Sequence, residues 1–393
     1  MVRKVGVGER RARLAARHRL VAAQRTDDVV ALTDGLVALH STDPVTVYLS
    51  TATRMRNPGL TALDGALYTD RSLVRHHAMR RTLWVFGHDT ARAAHLASTL
   101  GLLRVQRKLV LGMLEAGGIA DPEGWLDAAG VEIVELLAES GPLTAREIGA
   151  RLPARAVPVP VGSGKFATTQ AAHSRVLLVL GFQGRVVRAR PTGTWINGQY
   201  RWAAATSWFA GGFDHPEPDP RRAAAELARR WLWTFGPGTR TDLQWWTGWT
   251  VATTTRALAD LGAVEVDLDE GPGYLLADDL DEPDDPGPSA ALLPGLDPST
   301  MGWKQRGFHL DPAHVPVLFD RNGNGGPTAW VDGRIVGGWA QRRDGEIVLR
   351  LLDDVGVEAR ESLERRAAQL QALLGDVRFT PRFPAPLQAE LVR

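Results

Sequence analysis

The chain has 393 residues, 44% hydrophobic and 23% charged, with a formal net charge of +1, which leaves room for about two to four ordinary globular domains. It has no cysteine, which excludes disulfides, thiol nucleophiles and cysteine-ligated metal sites. The basic N-terminus lacks the apolar region of a secretory signal, and no apolar run is long enough to span a bilayer, so a cytoplasmic, nucleoid-associated protein without membrane contact is expected.

Residues 1–118 open with two helix-like stretches, RRARLAARHRLV and DDVVALTDGLVALH. The segment Leu39-His40-Ser41-Thr42-Asp43-Pro44 follows, where Pro44 stops or redirects the chain and Asp43 suits the cap of a next helix. VTVYLSTATRMR carries Arg54 and Arg56 before Asn57-Pro58-Gly59, and SLVRHHAMRRTLWVF is basic and ends strand-like. Residues 119–212 read as a helix, the turn Gly141-Pro142-Leu143-Thr144, a short helix and a longer one with Leu177, Leu178 and Leu180 on its apolar face. Thr144 three residues before Glu147 fits a capping box, Gly181 is taken to end the long helix, and VVRARPTGTWINGQYRWA reads as a hairpin. Residues 213–289 repeat this plan around Gly236-Pro237-Gly238-Thr239, with Leu258 and Leu261 on the helix, Gly262 ending it, and a hairpin turning at Gly271-Pro272-Gly273. DDLDEPDDPGPSA (278–290) reads as a solvated acidic linker. Residues 290–393 hold short glycine-punctuated strands, WVDGRIVGGWA and GEIVLRLLD, and the helix ESLERRAAQLQALL, which make a small β-rich domain.

Helix, turn, helix and hairpin in that order is the winged-helix plan, whose recognition helix enters the major groove. Two copies with matching Gly-Pro-x-Thr turns, and a divergent third in 1–118, give an α+β class with three tandem units. The copy in 119–212 carries an insertion, PARAVPVPVGSGKF, read as a surface loop or as an arm that reaches a groove. Charge is segregated. Residues 1–110 hold 18 basic against 8 acidic residues, and 141–210 hold 9 against 1, while 111–140 and 211–300 are acidic. Basic surface of this kind attracts polyanions. The expected partner is duplex DNA, contacted by Arg54, Arg56, Arg80, Arg81, Arg155, Lys165, Arg175, Arg188 and Arg190, each of which has a plain alternative as a solvated charge.

Tests for other chemistry fail. His76-His77 on a strand point to opposite faces, and no metal-ligand spacing exists. VGSGKFATTQ lacks the first glycine of a phosphate loop, and Phe166 stands where Ser or Thr is required. No nucleophile elbow or dinucleotide fingerprint occurs. The tryptophans, including Trp231, Trp233, Trp245 and Trp246, lie at helical spacings and are expected in the core. LHSTDP keeps two readings open. His40 and Thr42 are two apart and share a face if extended; alternatively Asp43-Pro44 simply starts a helix and His40 ends one, against its dipole.

At this point the chain resembles the AlkZ- and YcaQ-like winged-helix DNA glycosylases of bacteria. The resemblance covers nearly the whole length and rests on AMRRTLWVF (78–86), GPGTRTDLQWWTG (236–248), LLPGLDPSTMGWKQR (292–306) and VDGRIVGGW (331–339). It implies three winged-helix units with a small C-terminal β-barrel, C-shaped overall. It further implies excision of alkylated purines, including bulky or crosslinked adducts in self-resistance to genotoxic natural products, by a monomer without metal or organic cofactor. The family motif is Gln, a hydrophobic residue, then Gln or Asp, commonly followed by Asp-Pro. It falls on LHSTDP, which makes His40, Thr42 and Asp43 the catalytic candidates. His40 and Thr42 replace the glutamines, and Ser41 replaces the apolar residue. Two functions follow: a glycosylase working through His-x-Thr, or a non-catalytic DNA-binding protein, a regulator or lesion binder. A protein-interaction role for the winged helices is disfavoured by the basic segments.

Overall fold

The computed structural model describes residues 2–162, 164, 167–214 and 218–393. The fold is α+β, and the chain divides into two compact units, 1–64 with 224–393, and 65–223. The division falls inside the N-terminal segment expected at 1–118.

In the discontinuous unit, helix Val7–Arg17 lies against the later part of the chain through its arginines. Arg10 bonds both oxygens of Glu270 at 2.7 Å, and Arg13 and Arg17 share Asp279. The acidic stretch after residue 278 is therefore not simply solvated, because Asp279 neutralises two guanidinium groups. Residues Arg3–Lys4 pair in parallel with Val264–Leu268, which forms a hairpin with Gly271–Leu275. The hairpin turns at Asp269-Glu270, while Gly271-Pro272-Gly273 lie in its second strand, because Leu268 is opposite Gly271. Before it run helices Pro220–Phe235, Arg240–Thr247 and Val251–Asp260, and Gly262 ends the last with φ +66°. Both Trp231 and Trp246 are buried as expected. By contrast, Trp233 is half exposed, with the Arg17 guanidinium 5.1 Å over its ring, and Trp245 is half-buried under Arg306.

The C-terminal part of this unit is an antiparallel sheet of four strands in sequence order: Ala290–Leu293, Thr328–Val331, Arg334–Gln341 and Ile347–Leu351. It is open, and among the described residues no sheet closes into a barrel. Helix Gly356–Leu374 packs on both outer strands. It thereby covers one face from edge to edge and buries the apolar surface that a barrel would bury by closing.

In the second unit, strands Leu73–His77 and Leu83–Gly87 form a hairpin. Helices Leu100–Ala116, Pro122–Ser140 and Ala172–Phe182 enclose a core that includes Leu114, Ile133, Leu177 and Leu180. The turn at Gly141 precedes helix Ala145–Arg151, whose capping box joins Thr144 and Glu147. Hairpin Val186–Pro191 with Tyr200–Ala204 follows. Gly181 lies within its helix; the reversal comes at Gly184, where φ is +74° and an added Cβ would sit 2.9 Å from Phe213. The described part of the insertion contains one strand of a two-stranded hairpin. Pro158–Val161 pairs with Thr168–Ala171.

Candidate active site

Helix Val29–Gly35 is capped by Asp28 and stops before the motif, because Val37 adopts φ +63°, a conformation that β-branched residues avoid. His40 is thus five residues past the end of that helix. Leu39–His40 are extended, and His40 and Ser41 are 5% and 1% exposed. The Thr42 N–H is directed at His40 Nδ1 over 3.5 Å, the outer limit of a hydrogen bond. This turns Nδ1 toward Thr42. The Thr42 hydroxyl oxygen is buried and has no hydrogen-bond partner among the described residues.

Asp43 anchors the motif. One oxygen accepts the Val45 N–H at 3.0 Å and caps helix Pro44–Ala52, with Pro44 at its first position. The other accepts the Arg382 N–H at 2.9 Å, and the Arg382 guanidinium donates to the Thr42 carbonyl at 3.0 Å. Burial raises the Asp43 carboxyl above its usual range, opposed in part by the N–H bonds from Arg382 and Val45 and by the Arg382 charge. The structure therefore brings His40, Thr42 and Asp43 together and adds Arg382. Its only sequence signal is the proline-flanked Pro381-Arg382-Phe383-Pro384.

A family model for "DNA glycosylase AlkZ-like" matches residues 33–373. The chain belongs to the AlkZ-like DNA glycosylase family. No curated protein sequence matches it. Among solved structures it is similar to the Streptomyces sahachiroi DNA glycosylase AlkZ, with TM-score 0.72 and 20% identity over 97% of this chain and 99% of that one. At that identity the likeness shows the fold.

The AlkZ-like landmarks are largely core. Asp242, within GPGTRTDLQWWTG, is fully buried and accepts from the Thr239 N–H and hydroxyl and from the Lys304 and Gln305 N–H groups at 2.8–3.0 Å. This locks it to LLPGLDPSTMGWKQR. Asp297, within the latter, is fully buried and bonds both Nη atoms of Arg54 at 2.7 and 2.8 Å, together with the Ser50 hydroxyl. Burial pushes its carboxyl up, but the Arg54 charge and these bonds outweigh that and hold it below the ordinary range.

Arg54 is therefore a core residue with no exposed surface and not a DNA contact. The other expected contacts divide by exposure. Arg56, Arg81 and Arg190 are exposed, although Arg56 Nε donates to the Arg25 carbonyl and Arg190 lies over Tyr68. Arg80 and Arg81 sit at the Leu73–Gly87 hairpin tip, both with positive φ. Arg155 is engaged by both oxygens of Glu132, and Arg175 by the Gln170 side-chain oxygen Oε1. Arg188 lies 3.5 Å over Trp202, and burial with the nearby Arg75 charge lowers it to about 10, so it stays charged at neutral pH. Lys165 lies outside the described residues. Among the described residues no three His, Asp or Glu side chains converge to hold a metal, and no helix is long and apolar enough to cross a membrane.

Proposed function

We propose that this AlkZ-like protein hydrolyses the N-glycosidic bond of N7- or N3-alkylated purines in duplex DNA, bulky or crosslinked adducts included, with His40 and Thr42 in the place of the family glutamines. The observation that carries the reading is the Thr42 hydroxyl, buried without a hydrogen-bond partner among the described residues, on the residue whose backbone N–H is directed at His40 Nδ1. A buried polar atom left unpaired costs about 1–3 kcal/mol, so a functional ligand is the expected compensation. Alkylation makes the purine cationic and a ready leaving group. The C1′–N9 electron pair leaves with the base, water adds to C1′, and its proton passes to His40. Thr42 holds that water through its hydroxyl, and the Asp43 charge favours the oxocarbenium-like sugar. Helix–helix–hairpin segments at 122–204 and 220–275 are read as winged helices that grip the duplex, with Arg56, Arg81 and Arg190 as the exposed phosphate contacts.

The test is base release from duplex DNA carrying N7-methylguanine. Wild type is expected to release the base, and His40→Ala to be slower by about 100-fold or more, with salt-dependent DNA binding unchanged. A His40→Ala protein as active as wild type would sink the reading. A second reading, a DNA-binding protein without chemistry, is favoured by the 95% burial of His40 implied by its 5% exposure, which restricts water. It predicts binding with no release from any alkylated duplex.

A further inference from the structure

The segment Pro381–Pro384 reaches the motif from the far end of the chain, and its two prolines fix φ near −65° on either side of Arg382 and Phe383. It is tied at both ends to the C-terminal sheet. Before it, Phe379 N–H donates to Gln341 Oε1 at 3.2 Å, and Gln341 Nε2 donates to the Val377 carbonyl at 2.9 Å. After it, Gln388 Oε1 accepts the Ala385 N–H at 3.0 Å while its Nε2 donates to the Pro327 and Trp339 carbonyls. The strap is thus tied down on both sides of Arg382.

From this strap Arg382 makes two bonds to adjacent residues of the motif, its N–H to Asp43 and its guanidinium to the Thr42 carbonyl. Asp43 is also fixed by the helix it caps. Thr42, between His40 and that helix, is therefore held through its carbonyl from a strap about 340 residues away. The Arg382 side chain is itself exposed, so its removal leaves no hole in the core.

We propose that Arg382 is a positioning residue: by holding the Thr42 carbonyl through its guanidinium, it sets the position of Thr42 relative to His40. This rests on the reading of His40 and Thr42 given above. Small displacements of such groups are expensive, up to about 100-fold in rate for about 1 Å.

The experiment uses the full chain as wild type, Arg382→Ala, Arg382→Lys and His40→Ala. Single-turnover release of N7-methylguanine and affinity for the same duplex are measured, together with hydrogen exchange of residues 40–46 in the free protein. Arg382→Ala is expected to slow release at saturating protein by about tenfold with affinity within about twofold. Exchange in 40–46 should rise by about fivefold while helix Gly356–Leu374 is unaffected. Arg382→Lys, which can still donate to the Thr42 carbonyl, should recover most of the rate. Wild-type rate and exchange in Arg382→Ala overturn the proposal. So does weaker binding with an unchanged saturating rate, which would make Arg382 a phosphate contact. If no protein releases base, or if His40→Ala equals wild type, the reading of the site fails separately. The exchange measurement then judges the tie: faster exchange in 40–46 supports it, and unchanged exchange overturns it.

Discussion

Asp43, Arg54 and Asp297 are charges held inside the protein, and each is matched by a specific partner rather than by water. Arg54 and Asp297 form a fully buried pair, and removing one member of such a pair strands the other. Arg54→Met is expected to destabilise the protein by about 3–5 kcal/mol in denaturant unfolding, without changing the salt dependence of DNA binding. As a basic residue before a turn, Arg54 resembled a DNA contact; its partner is 243 residues away, a distance no local pattern reveals. Asp43 differs, because burial raises its carboxyl. With a raised folded pKa, the stabilising contribution belongs to the protonated form and is lost as pH rises through that pKa, so the charge at pH 7 costs stability. Asp43→Asn can keep the cap to Val45. Asn has a single oxygen, so the Arg382 N–H then loses its acceptor; the melting-temperature deficit relative to wild type is expected to be smaller at pH 7 than near pH 4, while base release falls. A deficit larger at pH 7 than near pH 4, with intact release, would show that the charge serves folding instead.

At the level of elements, the two Gly-Pro-x-Thr turns lead into capping boxes of unequal weight. Thr144 and Glu147 are solvent-accessible, whereas Thr239 and Asp242 are buried and also hold the backbone at Lys304 and Gln305. Thr144→Ala should cost about 1 kcal/mol. Asp242→Ala should cost about 2–4 kcal/mol, because several buried donors lose their acceptor. Equal losses in urea unfolding would refute this difference. The first box was legible from Thr144 and Glu147 alone. The end of the helix before the motif was not, because Val37 with its positive φ is held by tertiary packing against its own preference. The open C-terminal sheet was likewise hidden. Strand pattern and glycine turns are the same for an open sheet and a barrel, and the helix laid across both edge strands makes closure unnecessary.

At the level of the whole molecule, five of the described histidines resist protonation. Burial is the leading cause in each: it lowers His18 and His77 to about 3, His95 to about 4, and His76 and His309 well below the usual value. Below pH 6.5 the unfolded chain binds protons at these sites and the folded chain does not. Stability is therefore fully present above about pH 6.5 and lost as pH falls toward the folded values, by about 1.4 kcal/mol per pH unit for each histidine. Melting temperature measured from pH 7 to 4.5 should fall steeply, and His309→Phe should reduce that slope. His309 is the cleaner choice because neither ring nitrogen has a hydrogen-bond partner among the described residues and its ring stacks on Trp330 at 5.3 Å. A slope unchanged in His309→Phe would place the acid sensitivity elsewhere.

From its sequence alone this protein was determined to be an α+β chain with repeated helix–turn–helix–hairpin segments, a capping Asp43-Pro44 and the marks of a DNA glycosylase family. These are properties of local pattern: period, turn chemistry, caps and short motifs act within a few residues. Only the tertiary structure decided that Arg54 belongs to the core, that Asp279 neutralises Arg13 and Arg17, and that Arg382 reaches Thr42 and Asp43. Each of these depends on a partner hundreds of residues away. Burial and charge pairing arise from which distant segments meet, and the energy that selects them is distributed through the packed core rather than written in any one stretch.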